Sequence, residues 1–221
     1  MSVVLFQEDV VTALMIAAMW GHLEICRLLI DKGCKIDITD VNGQTALMIA
    51  AEGGHLEEDG VTALMFAAEG GHLEICRLLI DTGFVLFQEG GLTALMTAAM
   101  GGELEICRLL IDTGCKIDTA TDRGDTALML AAEGGRLEIC QLLIDRGCKI
   151  DITHDWRVTA LIWAAQRGDL EICSLLIDTG CKINTTDRDG ETALMRAARY
   201  GGLEVCRLLI DKGYQWIHSF T

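Results

Sequence analysis

The chain of 221 residues is 51% hydrophobic and 23% charged, a composition typical of an ordered protein rather than a disordered one. Its net charge at pH 7 is −15, and because nucleic acids bind basic surfaces, this balance argues against a nucleic-acid partner. The sequence has no apolar run of membrane-spanning length and no basic segment of a secretory signal, so we expect an intracellular, cytoplasmic protein with no membrane partner.

A short phrase, Thr-Ala-Leu followed by Met or Ile, occurs seven times along the chain. The intervals between its starts are 33, 17, 31, 33, 33 and 33 residues. A recurring interval of 33 residues is typical of stacked helical units, each of which buries its apolar face against its neighbours. We therefore predict one repeat domain over residues 1–221, with units that start near residues 12, 45, 62, 93, 126, 159 and 192.

The second unit lacks its second helix and its hairpin. Residues 45–57 pass directly into a short segment before Thr62, which starts the next first helix. Losing several buried aliphatic side chains, at about 1.5–3 kcal/mol each, predicts either a kinked stack or a gap that another segment fills. The candidate fillers are residues 64–68, shifted in phase, and a helix from a second copy of the chain. If the domain breaks, we expect the break near residue 58.

The fifth unit, which starts at Thr126, shows the elements of a complete unit. Thr126 is a favourable N-cap for a first helix that ends at Gly134-Gly135. A second helix begins at Leu137 and ends before Gly147, with apolar residues on most of one side, as expected for a helix between neighbours. The segment that follows alternates in polarity and predicts an extended hairpin toward the next unit.

Ten cysteines recur at two positions of the repeat, six after Leu-Glu-Ile or Leu-Glu-Val and four after a glycine. Equivalent positions in stacked helices lie about 8–10 Å apart, beyond the roughly 7 Å Cα limit for a disulfide. The spacing also lacks the close cysteine and histidine pairs of a zinc site. We expect ten buried, reduced thiols, a reducing compartment, and neither a metal nor a cofactor.

Residues 40–57 read Asp-Val-Asn-Gly-Gln-Thr-Ala-Leu-Met-Ile-Ala-Ala-Glu-Gly-Gly-His-Leu-Glu and resemble an ankyrin repeat, as do the recurring Leu-Glu-Ile-Cys-Arg-Leu-Leu-Ile-Asp segments. The resemblance covers nearly the whole chain. It implies an all-α solenoid of helix-turn-helix units joined by extended hairpins, with one defective unit near residues 45–61. Where the family usually has Pro and His after the Thr, this chain has Ala and then Met or Ile. Because Ala favours helix, we expect these departures to affect thermal stability more than fold.

The resemblance also implies a non-enzymatic scaffold that binds a partner protein on the concave face formed by hairpin tips and first helices. Comparing the units with one another identifies the most variable positions, which lie just after the first helix and on the turn before it. The candidate partner-binding residues at these positions are Met19, Trp20, Glu52, Glu69, Met100, Arg123, Glu133, Trp156, Gln166, Arg167, Arg199 and Tyr200.

The sixth and seventh units carry an additional pattern of aromatic and basic residues. We predict an interface patch made of Trp156, Trp163, Arg167, Arg196, Arg199 and Tyr200. The alternative is that Trp163 packs between units and that the arginines form ordinary ion pairs. Catalytic patterns such as Ser-His-Asp, a phosphate-binding glycine loop or HExxH are absent from the sequence, so we expect no enzyme activity.

A competing hypothesis is a self-assembling structural module. Repeat stacks need polar capping units for solubility, and the last unit keeps an apolar second helix. The residues after Gly213 either fold back as a cap or leave this end open. In the second case the chain would form a homo-oligomer through its uncapped ends or through the truncated second unit. Exposed apolar residues at an end or at the gap would favour self-assembly, and on the concave face they would favour a partner.

Overall fold

The computed structural model describes residues 13, 17, 20–33, 63–81 and 92–213. In these ranges the chain forms eleven α-helices and no strand. In chain order they are α1 (Leu23–Asp31), α2 (Ala63–Glu69), α3 (Leu73–Asp81), α4 (Ala94–Gly101), α5 (Leu104–Asp112), α6 (Ala127–Gly134), α7 (Leu137–Asp145), α8 (Ala160–Arg167), α9 (Leu170–Asp178), α10 (Ala193–Arg199) and α11 (Leu203–Asp211). Even-numbered helices are first helices and odd-numbered helices are second helices, which confirms the predicted helix-turn-helix units.

Four first helices, α4, α6, α8 and α10, begin at threonine caps. The hydroxyls of Thr93, Thr126, Thr159 and Thr192 each accept a hydrogen bond from the backbone N–H three residues later, at 3.2–3.4 Å. Gly135 ends α6 in the left-handed conformation, with φ of 70°, which a residue with a side chain rarely adopts. The recurring threonine is therefore a structural residue of the repeat.

The second helices bury the apolar side predicted for them. In α7 the buried residues are Ile139, Cys140, Leu142 and Leu143, whereas Glu138 is exposed. Two hairpin tips of the described residues each close with a single antiparallel bridge, Ala120 with Thr126 and Thr186 with Thr192. The core is thus made by helices packed on helices.

The chain divides into two compact parts, residues 1–115 and residues 116–221. We call them the N-terminal half and the C-terminal half. In the C-terminal half, α8 packs between α6 and α10, and α9 packs between α7 and α11, so the helices form two layers. In the N-terminal half, α2 packs against α4, and α3 packs between α1 and α5.

The helices that flank the truncated second unit in sequence are direct neighbours. Helix α1 packs against α3 as α3 packs against α5. A Cβ built on Gly21 would lie 2.7 Å from the His72 ring, and a Cβ on Gly71 would lie 2.9 Å from Glu103, so the two junctions have similar turn packing. No gap therefore separates α1 from α3, although the truncated unit itself and the break expected near residue 58 lie outside the described residues. Residues 64–68 belong to the first helix α2, which packs against α3 and α4.

Aspartate side chains join successive loops of the C-terminal half. The Asp118 carboxylate accepts a hydrogen bond of 2.8 Å from the backbone N–H of Lys149, and Asp151 accepts one of 2.9 Å from Lys182. Both pairs are separated by 31 residues. Asn184 stands at the next equivalent position, and its Oδ1 is buried without a hydrogen-bond partner. These residues come from the recurring Gly-Cys-Lys-Ile-Asp/Asn segment. The sequence pattern did not indicate that this segment forms hydrogen bonds between successive loops.

The cysteines described by the structure form no disulfide. Burial raises the pKa of the Cys107, Cys140 and Cys173 thiols to about 12. The expectation of full burial is wrong for Cys115, Cys148, Cys181 and Cys206, which are half-buried because three lie in loops and one lies on the last described helix.

Candidate protein-binding surface

The hairpin tip that precedes α8, residues 154–158, presents an exposed tryptophan on an ordered loop. We call it the sixth-unit tip. Trp156 is 66% exposed. Its backbone N–H donates to His154 Nδ1 at 2.8 Å, and the backbone N–H of Arg157 donates to the His154 carbonyl at 2.7 Å. Because the loop is held by these hydrogen bonds, the tryptophan is presented without the entropic cost of ordering a free loop.

The backbone of Arg157 is unusual for a residue with a side chain. Its φ is 59°, whereas Gly124 and Gly190 occupy the equivalent position of the neighbouring tips with φ of 89° and 76°. A residue other than glycine in this left-handed region costs about 1 kcal/mol or more. The sixth-unit tip therefore keeps an arginine where the fold favours glycine.

The three tips of the C-terminal half are joined by backbone hydrogen bonds. The N–H of Asp155 donates to the Arg123 carbonyl at 2.7 Å, and the N–H of Arg188 donates to the Trp156 carbonyl at 2.9 Å. Trp156 is thus the middle residue of a continuous edge. Exposed arginines, Arg123 and Arg188, stand on either side of it.

Aromatic rings connect the sixth-unit tip to the first helix behind it. The His154 ring lies 6.3 Å from the Trp156 ring and 6.4 Å from the Trp163 ring of α8. Trp163 is half-buried, and its Nε1 is buried without a hydrogen-bond partner. Trp163 therefore supports the tip more than it adds exposed area.

Two of the predicted patch arginines take part in an ion-pair network. Arg196 contacts Asp187 at 2.6 Å, Glu191 at 2.8 Å and the Gln166 Oε1 at 2.9 Å. Arg199 also pairs with Glu191. Asp187 is buried, and it further accepts hydrogen bonds from two backbone N–H groups of its own tip. Arg196 is thus a structural residue, and no sequence pattern indicated its partner Asp187, which stands where another unit has Thr121.

The surface near the C-terminal end of α8 carries both signs of charge. Arg167 is exposed and lies over the turn of the preceding unit, where a Cβ on Gly135 would be 3.1 Å from its guanidinium. Burial raises the pKa of the Glu133 carboxyl, as does Asp125, while Arg167 and His154 oppose the rise. Acidic Glu133 and basic Arg167 therefore lie close enough to influence each other.

The structure places the other candidate residues as follows. Trp20, Glu69 and Met100 are exposed in the N-terminal half. In the C-terminal half Gln166 is half-buried, and the exposed candidates are Arg123, Glu133, Trp156, Arg167, Arg199 and Tyr200. Met19 and Glu52 lie outside the described residues. The described part of the chain has no group of three or more His, Cys, Asp or Glu side chains that could hold a metal ion.

Comparison with known families agrees with this architecture. A family model for ankyrin repeats (three copies) matches residues 5–58, 55–120, 85–154 and 128–218. Since these matches cover most of the sequence, the chain belongs to the ankyrin repeat family. Ankyrin repeats are generally protein–protein interaction modules. No curated protein matches the chain significantly.

None of the described helices has the length and apolar character that crossing a membrane requires.

Proposed function

We propose that the chain is a non-enzymatic scaffold that binds a partner protein through the hairpin tips and first helices of the C-terminal half. In the ankyrin family these elements form the concave face. The observation that carries the proposal is the sixth-unit tip, where an exposed tryptophan is held in place beside an arginine in a strained backbone conformation. Strained conformations of this kind cluster at binding sites.

The chemistry of the surrounding side chains supports the same proposal. Tryptophan, tyrosine and arginine are the residue types that most often dominate interface energetics. Trp156, Tyr200 and Arg167 are all exposed. Trp156 and Arg167 belong to the sixth unit and Tyr200 belongs to the seventh, and the first helices of these two units, α8 and α10, pack against each other. The partner would be a protein that offers an apolar pocket for Trp156 and an acidic group for Arg167, in a reducing, cytoplasmic compartment.

The test compares two variants as baits for affinity capture from a cell extract. The first, Trp156→Ala/Arg167→Ala/Tyr200→Ala, removes the proposed surface. The matched control, Glu138→Ala/Gln141→Ala/Ser174→Ala, changes side chains on the second helices α7 and α9. We expect a partner that the wild type and the control capture equally and that the first variant captures at least tenfold less. Equal capture by all three proteins would contradict the proposal.

Self-assembly is the second candidate function, and one observation favours it. Large apolar side chains are exposed on the first and the last of the described second helices, α1 and α11. Because α1 contacts α3 directly, we infer that association uses α1 and α11 rather than the truncated unit.

A further inference from the structure

The second helices have two different apolar edges, which their first and last members reveal. Helix α11 packs against α9, which precedes it, and it exposes Leu203 by 60% and Ile210 by 47%. Helix α1 packs against α3, which follows it, and it exposes different positions of the same motif, Ile25 by 47% and Leu28 by 56%. Ile210 therefore marks the edge that faces a following helix, with Leu203 at the start of the same helix, and Ile25 and Leu28 lie on the edge that faces a preceding one.

Between packed repeats, the isoleucines of both edges are covered, whereas Leu170 of α9, at the position of Leu203, stays 36% exposed. Ile177 of α9, at the position of Ile210, is buried, and so are Ile75 and Ile106 of α3 and α5, at the position of Ile25. The first helices show the same contrast. Met195 of α10 is exposed, whereas Met129 of α6 at the equivalent position is buried. On other second helices, the next repeat covers the edge that is exposed on α11.

The sequence of α1 matches the helices that perform this covering. Helices α1, α3 and α5 are identical in sequence, Leu-Glu-Ile-Cys-Arg-Leu-Leu-Ile-Asp. Helix α5 already packs against the following edge of α3. A helix with this sequence therefore carries every side chain needed to pack against such an edge. Helix α1 has this sequence, and its own preceding edge is exposed.

Charge at the helix ends favours the same pairing. Between adjacent repeats, Lys212 at the end of α11 contacts Asp178 at the end of α9 at 2.7 Å. The equivalent aspartate of α11 is Asp211, and the equivalent lysine after α1 is Lys32, and both are exposed. If α1 packed after α11, Lys32 would lie beside Asp211, in the same way that Lys212 lies beside Asp178.

We propose that the exposed edge of α11 binds α1 of a second copy of this chain, in a head-to-tail contact that continues the repeat stack. Because the two edges differ, each bound copy keeps one open edge, and further copies can add. This proposal rests on the second candidate function and is independent of partner binding through the sixth-unit tip.

The test uses two variants that each block one edge with exposed acidic side chains. Leu203→Glu/Ile210→Glu blocks the α11 edge and leaves α1 intact, whereas Ile25→Glu/Leu28→Glu does the reverse. By light scattering under reducing conditions, we expect the wild-type mass to rise with concentration and each variant to stay at 24.0 kDa, the mass of one chain. An equimolar mixture of the two variants should give a species of twice that mass.

A charge exchange provides the matched control. Adding Asp211→Lys to the variant with an intact α11 edge should weaken the mixed dimer about tenfold, and adding Lys32→Asp to the other variant should restore it. The proposal is overturned if the wild type associates but the mixture stays monomeric. It is also overturned if removal of residues 214–221 converts a monomeric wild type into an associating chain, because those residues would then be the occupant of the α11 edge. A wild type that stays monomeric in every form would remove the second candidate function itself, while the partner-capture result would stand.

Discussion

At the scale of single residues, the sixth-unit tip departs from the repeat in a way that packing does not require. Neighbouring tips place glycine in the left-handed backbone position, where this tip has Arg157. The His154 side chain takes over the role of Asp187 and Thr121, because each accepts a hydrogen bond from a backbone N–H of its own tip. The tip therefore makes the same kind of hydrogen bond as its neighbours while it carries side chains of types common at interfaces.

The strain at Arg157 can be measured by Arg157→Gly. We expect this change to raise the free energy of unfolding by up to about 1 kcal/mol, because glycine adopts the left-handed conformation without steric cost. Urea denaturation gives the value. The matched control is Arg123→Gly on the adjacent tip, whose backbone is not left-handed and which should lose about 0.5–1 kcal/mol from added chain entropy. A loss of stability in Arg157→Gly would show that the arginine side chain stabilises the tip.

The buried thiols predict a loss of stability in alkaline solution. An unfolded cysteine releases its proton near the ordinary thiol pKa of 9.0, whereas burial raises the pKa of Cys140 to about 12. Between these values the unfolded state binds fewer protons, so the free energy of unfolding falls by at most about 1.4 kcal/mol per pH unit for each such thiol. Urea unfolding between pH 8 and pH 10.5 should show this slope, and Cys140→Ala should reduce it. An unchanged slope in Cys140→Ala would contradict the assignment.

At the scale of elements, the loops are joined by side chains rather than by strands. The carboxylates of Asp118 and Asp151 bind the backbone of the following loop, 31 residues later. These hydrogen bonds have a charged acceptor, which makes each stronger than a bond between neutral groups.

Removing one of these hydrogen bonds should destabilise the repeat. We expect Asp151→Ala to lower the free energy of unfolding by about 1–2 kcal/mol, since the bond from the Lys182 backbone has a charged acceptor. Thermal and urea denaturation give the value. Asp122→Ala, on an exposed loop position, should change stability by less than about 0.5 kcal/mol. Equal effects of the two changes would contradict the role of Asp151.

Much of the helical architecture was predictable from sequence because its signals are local. The threonine cap, the glycine at the end of the first helix and the apolar side of the second helix all act within a few residues. The ion pair between Arg196 and Asp187 was not predictable, because it depends on how a tip packs against the helix that follows it. The half-burial of Trp163 depends likewise on packing near His154, and from the sequence it was one of two alternatives, the other being an exposed interface residue.

At the scale of the whole molecule, three second helices share one sequence, and this explains how α3 can pack directly against α1. Since α1, α3 and α5 have one sequence, α3 can follow α1 directly although 41 residues separate the end of α1 at Asp31 from the start of α3 at Leu73. The sequence spacing alone suggested a gap or a filler, because spacing does not say which repeats are neighbours. The same shared sequence is the basis for adding a second copy at α11.

If a partner binds through the sixth-unit tip, Trp156 should supply much of the affinity, and a calorimetric titration measures this. The captured partner would be titrated by calorimetry into the wild type, Trp156→Ala and the control Gln141→Ala. Loss of a central aromatic anchor costs about 2 kcal/mol or more, so we expect affinity about thirtyfold weaker for Trp156→Ala and unchanged for Gln141→Ala. Affinity within twofold of the wild type for both variants would contradict the claim and place the binding surface elsewhere.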